Sequence, residues 1–130
     1  MSRGLLDTSV FITREGRGLD TANIPDEVAV SVVTYGELRA AVLAATDLTV
    51  RSRRLSTLQA VADLEPLPIT TAVADEWAKL RLLLAQAGRR VNVNDTWIAA
   101  TALAHDVPVV SQDDDYGIVA ELSPLRVIAV

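Results

Sequence analysis

Strand-like and helix-like runs alternate along this chain, which predicts an α/β fold: a mostly parallel central sheet of about five strands with helices on both faces. Three observations carry the prediction. Apolar runs of strand length recur, amphipathic runs of helical period separate them, and acidic residues fall where the strands end or the helices begin. A length of 130 residues suits one domain over residues 1–130, long enough to bury a real core and short for two.

The elements follow in order. "RGLL" (3–6) and "EVAVSVV" (27–33) read as short buried strands, bounded by Asp7 and by "NIPD". From Thr34, "TYGELRAAVLAA" turns helical, with Leu38, Ala41, Val42 and Ala45 on one stripe. A second helix is expected from about Thr49 to Asp63, with Leu55, Leu58 and Ala62 inward and Arg51, Arg53 and Arg54 outward. "EPLPI" is a short extended piece. Val73, Trp77, Leu80 and Leu84 then mark a strong helical stripe that Gly88 is placed to end. Another helix runs from Asn94, read as its N-cap, through "DTWIAATALAH". "VPVV" (107–110) and "LRVIAV" (125–130) are the last strands.

Composition narrows the chemistry. Cysteine is absent and His105 is the one histidine, so disulfides, thiolate metal sites and cysteine nucleophiles are excluded. No apolar run reaches the roughly 18 residues of a spanning helix, and "MSRGLLDTSVFI" lacks a signal-peptide cleavage pattern, so a cytoplasmic location is expected. The net charge of −5 opposes nucleic-acid binding by bulk electrostatics and leaves that role to local arginines or bound cations.

Taken singly, the acids have ordinary explanations. Asp7 could be a turn residue or an N-cap. Glu37 stands three residues after Thr34, the spacing of a capping box. Asp95 suits a helix start, yet it heads a stripe with Ile98, Ala99 and Ala102, where a carboxylate is costly unless paired. Asp113, Asp114 and Asp115 could form an acidic turn. Together they differ, because Asp7, Glu37, Asp95 and the "DDD" run all reach one edge of such a sheet, where open parallel sheets bind ligands. No Lys, His or Cys is placed to neutralise them, and oxygen-only donors favour a hard ion, Mg²⁺ or Mn²⁺.

The motifs "LLDTSVFI", "SVVTYGELRAA" and "NVNDTWIAATALAHDVPVVSQDDDYG", with the closing "LRVIAV", occur in an order and spacing that resemble a PIN domain, and within that family the VapC-type toxins. The resemblance covers nearly the whole chain and implies a three-layer α/β/α fold. It places the acidic site on Asp7, Glu37, Asp95 and Asp113, with Asp115 as an auxiliary metal ligand and no role for Asp114. Thr8, Ser9 and Ser111 match hydroxyl positions near the site, Ser111 standing where a threonine is usual. The activity implied is a metal-dependent endoribonuclease that slows translation. A VapB-like antitoxin would block the groove with an extended segment, and a homodimer, or a heterotetramer or larger assembly with the antitoxin, is expected.

On this reading Asp7, Asp95 and Asp113 hold one Mg²⁺ or Mn²⁺ ion, with Glu37 bridging or acting through water, and the ion activates water for in-line displacement at phosphorus. Without a histidine to deprotonate the 2′-hydroxyl, products should carry 5′-phosphate and 3′-hydroxyl ends. Arg14, Arg17, Arg89 and Arg90 are the candidate RNA contacts. His105 fits a helix C-terminus, and Trp77 and Trp97 fit a core. Other classes fare less well. A phosphorelay receiver needs a lysine at a late strand end, but Lys79 lies mid-helix, and a haloacid-dehalogenase-type phosphatase needs an acid where Ser9 stands. An inactive PIN-fold module that only binds an antitoxin or serves as a scaffold remains the alternative.

Overall fold

Leu5 and Leu6 are consecutive and both buried, which in a strand requires cover on both faces. The computed structural model describes residues 2–12 and 20–130 and places both leucines in β1 (Arg3–Leu6), one of two interior strands of a four-stranded sheet ordered β2-β1-β3-β4. Its neighbours are β2 (Glu27–Val30) and β3 (Val109–Ser111), and β4 (Val127–Ala129) lies beyond β3. Every pairing is parallel: Leu5 stands opposite Ala29 and Val109, and Leu6 opposite Val30 and Val110. Gly4 is required by close packing, since a Cβ there would stand 2.7 Å from a Val110 methyl and 2.8 Å from the Pro25 ring.

Side-chain alternation divides the core in two. Leu5 and Val109 face α3 (Thr71–Ala87), α4 (Val93–Ala104) and α5 (Asp115–Leu122), packing with Val73, Leu80, Ile98 and Val119. Leu6, Val30 and Val110 face α1 (Val32–Ala44) and α2 (Leu48–Asp63), packing with Leu38, Val42, Leu58 and Val61. These are the three layers expected.

Several expectations need correction. Four strands, not five, occur among the described residues: "EPLPI" contributes one bridge, Leu67 to Ser31, because its prolines withhold ladder donors. The second strand ends at Val30 and α1 begins at Val32, since the Ser31 hydroxyl accepts the Thr34 N–H and caps the helix three residues earlier than expected. Thr34 therefore does not cap, and the capping-box role of Glu37 falls with it. Asn92, not Asn94, caps α4 by accepting the Asn94 N–H, so Asp95 is the third residue inside the helix. Helix α5 begins on Asp115, the last of the aspartate run, where only a turn was expected. The Asp47, Thr70 and Gly88 caps set the ends of α2 and α3, with Gly88 at φ 65°.

Candidate metal centre

The parallel order sends the carboxyl ends of β1, β2 and β3 to one edge, and the acids arrive there from four segments. Asp7 follows β1, Glu37 lies in α1 just after β2, Asp95 is in the first turn of α4, and Asp113 to Asp115 follow β3. They line one cleft of about 520 Å³ with Thr8, Ser9, Asn92 and Gln112, and among the described residues no Lys, Arg or His lines it. Arg14 and Arg17 lie outside the described residues. His105 caps α4 at the other end of the sheet, beside Arg3 and Glu27 at the strand starts.

The acids differ in their surroundings. Asp7 is buried, and both its oxygens are engaged: Oδ1 accepts the Tyr116 hydroxyl at 2.8 Å, and Oδ2 accepts Ser111 Oγ at 2.9 Å and the Ser9 N–H at 3.3 Å. Glu37 Oε1 accepts Thr8 Oγ1 at 2.7 Å. That commits the Thr8 proton, so in the 3.0 Å contact with Thr34 it is Thr34 that donates. Ser111 Oγ also accepts the Asp113 N–H at 2.8 Å, and Ser9 Oγ accepts that of Gln112 at 3.0 Å. Asp113 Oδ1 accepts the Asp115 N–H at 3.0 Å, an Asx turn that starts α5. Asp114 is exposed.

Asp95, Asp113 and Asp115 each offer an oxygen, and the three oxygens lie within 4.8 Å of one another. Small side-chain rotations from this spacing would bring all three oxygens onto one cation at the 2.0–2.6 Å typical of Mg²⁺ or Ca²⁺ ligands. The carboxyl of Asp95 is pushed up to about 7, first by burial, then by the charges of Asp7 and Asp113, with Glu37 adding less. Tyr116 Oη lies 3.3 Å from Asp95 Oδ1 as well as 2.8 Å from Asp7, and one hydroxyl proton cannot fully serve both. A proton on Asp95 satisfies the second contact by donating to Oη. Burial and the two neighbouring carboxylates hold the Tyr116 phenol protonated, its pKa raised far above the usual range.

The sequence reading gave Tyr116 no role, although its hydroxyl joins Asp7 to Asp95 in the structure. Its apolar partner Val119, three residues on, was the available sign of a helix that turns this ring inward. Trp77 and Trp97 pack against the core but on its margin, stacked on each other with centroids 4.6 Å apart. Arg89 and Arg90 line a separate cleft next to this one.

All-carboxylate donors, with no cationic side chain beside them among the described residues, fit a hard divalent ion. Known proteins share this architecture. The family model for the PIN domain matches residues 4–122. The chain is 52% identical over 128 residues to ribonuclease VapC5 of Mycobacterium tuberculosis (strain ATCC 25618 / H37Rv), covering 98% of this chain and 95% of that protein. With ribonuclease VapC4 of the same strain it shares 45% over 130 residues, covering 96% and 97%. The crystal structure of VapBC-5 from Mycobacterium tuberculosis, a member of the VapBC family of toxin–antitoxin systems, holds a chain that matches with a TM-score of 0.92, 48% identity and 100% coverage of both. A chain of FitAcB from Neisseria gonorrhoeae matches with a TM-score of 0.74 and 25% identity, covering 95% of each. The chain belongs to the PIN-domain family and, within it, to the VapC ribonucleases.

Proposed function

We propose that this protein is a Mg²⁺- or Mn²⁺-dependent endoribonuclease toxin that cuts cellular RNA in the cytoplasm to inhibit translation. The observation that carries the reading is the convergence of Asp95, Asp113 and Asp115 oxygens within 4.8 Å, in a cleft that Asp7 and Glu37 also line. Asp95, Asp113 and Asp115 would hold the ion. When bound, the ion supplies Lewis acidity at the phosphate and an activated water. Asp7 is fixed by Tyr116, Ser111 and the Ser9 amide, and Glu37 by Thr8, so both present oriented lone pairs to the cleft without reorganising.

The proposed partner is a VapB-like antitoxin. Support comes from the solved VapBC-5 assembly and from a groove of about 380 Å³ between α1 and α2, lined by Phe11, Ile12, Leu38, Ala41 and Val50 with Arg53 and Arg54. Ile12 lines both this groove and the acidic cleft, so a segment seated in the groove would reach the acids. A homodimer, joined by the antitoxin into a heterotetramer or larger assembly, completes the proposal.

The test incubates purified protein with total RNA, with and without Mg²⁺ or Mn²⁺, beside Asp7→Ala and Asp95→Ala. Cleavage is expected only for the parent chain with metal, giving 5′-phosphate and 3′-hydroxyl ends. Cleavage that persists in EDTA or in both variants refutes the reading, as do 2′,3′-cyclic phosphate ends.

A further inference from the structure

We infer that the cleft between the C-terminal part of α3 and the start of α4 is a binding track for the phosphodiester backbone of single-stranded RNA. The inference rests on the ribonuclease reading and extends it to how substrate is held. The cleft measures about 370 Å³ and is lined by Arg81, Arg89 and Arg90 around Trp77, Val93 and Thr96. Among the described residues no acid lines it, in a chain whose net charge is −5, whereas the neighbouring catalytic cleft is lined by acids and no base. The two clefts share the first turn of α4: Asn92 and Asp95 look into one, Val93 and Thr96 into the other. An RNA strand leaving the acids along this turn meets guanidinium groups next.

The arginines are available and one of them is held in place. Arg81 lies with its guanidinium 5.2 Å from the centroid of Trp77, whose ring is stacked on Trp97 with planes 7° apart. A guanidinium resting on an aromatic ring loses little further freedom when it binds phosphate. Neither Arg81 nor Arg90 has a carboxylate within ion-pair distance among the described residues, and Arg89 makes only a long contact of 3.5 Å to the exposed Glu121. Because Trp97 and Arg81 already occupy the Trp77 ring, the cleft offers charge to phosphates and not a stacking platform to bases. Recognition here is therefore independent of sequence.

Trp77 and Trp97 are the chain's two tryptophans, so intrinsic fluorescence reports on this cleft. The experiment titrates a 12-nucleotide single-stranded RNA into the full chain in EDTA, over a series of salt concentrations, for the parent, Arg81→Gln, Arg90→Gln and the double variant. Hydrolysis of a small phosphodiester, bis(p-nitrophenyl) phosphate, is followed in parallel with Mn²⁺. The expected result is binding weakened at least about tenfold in the double variant, a salt slope shallower by about 0.7 for each arginine removed, and unchanged small-diester hydrolysis. Equal affinity and slope in all four proteins would overturn the inference, as would no RNA binding by the parent. It falls too if sedimentation shows that the variants alter the assembly state, which would make the cleft a contact between copies, or if an oligoglutamate peptide binds more tightly than RNA. RNA bound through these arginines but never cut with metal would leave this inference standing and refute the ribonuclease reading instead.

Discussion

A phenylalanine would fill the space of Tyr116 as well; the hydroxyl is what binds Asp7 at 2.8 Å from a fully buried ring. Tyr116→Phe should keep the fold, cost about 1 kcal/mol for the lost bond, and weaken divalent-cation binding about tenfold because Asp7 and Asp95 lose their common anchor. Calorimetric titration with Mn²⁺ beside thermal melts separates the two effects. The aspartate run offers a graded test. Asp113→Ala should abolish RNA cleavage, Asp115→Ala should reduce it strongly, and Asp114→Ala should leave it within about twofold, since Asp114 is exposed and its side chain caps nothing. Loss at Asp114 equal to that at Asp113 would contradict the placement of the site. The acids themselves were legible because each stands beside a strand end or helix start that short-range pattern locates. The Tyr116 contact was not, since it joins residues 109 positions apart and depends on the fold bringing α5 to the end of β1.

Among the elements, α3 was the most legible, because its stripe is long and both ends carry strong signals: Thr70 accepts the Val73 N–H and Gly88 takes the left-handed conformation. Gly88→Ala should lower stability by about 1 kcal/mol, read as a lower denaturant midpoint with unchanged slope. The starts of α1 and α4 were misplaced because each has two polar residues able to cap, and tertiary contact chose between them. Thr34 is drawn instead to Thr8 and sits beside the Glu37 contact, while Asn92 faces the cleft. Helix α5 was hidden by its own first turn. Eight residues that open on an aspartate and carry Gly117 have weak intrinsic helicity, and the helix is held by Tyr116 and Val119 packing into the core.

At the scale of the molecule, the acids couple stability to pH and to metal. With its pKa raised from 3.8 to about 7, Asp95 binds its proton more tightly folded than unfolded. Its contribution is therefore favourable at low pH and is lost as pH rises through that window, the reverse of an ion-paired carboxylate. Asp95→Asn should raise the metal-free melting temperature at pH 8, on the order of 3 °C, and abolish the shift that Mn²⁺ produces. In the parent chain that Mn²⁺-induced shift should grow from pH 6 to pH 8, because the ion competes with a proton below about pH 7; a pH-independent shift would contradict the assignment. The same arrangement bears on synthesis. Strand β1 is interior to the sheet, yet β3, which pairs with it and leads to Asp113 and Asp115, is more than a hundred residues downstream. A nascent chain can dock α1 and α2 while the carboxylates of the cleft are still scattered. On the proposed function, a ribosome making this nuclease is exposed to no assembled cutting centre until β3 and the aspartates after it have left the exit tunnel.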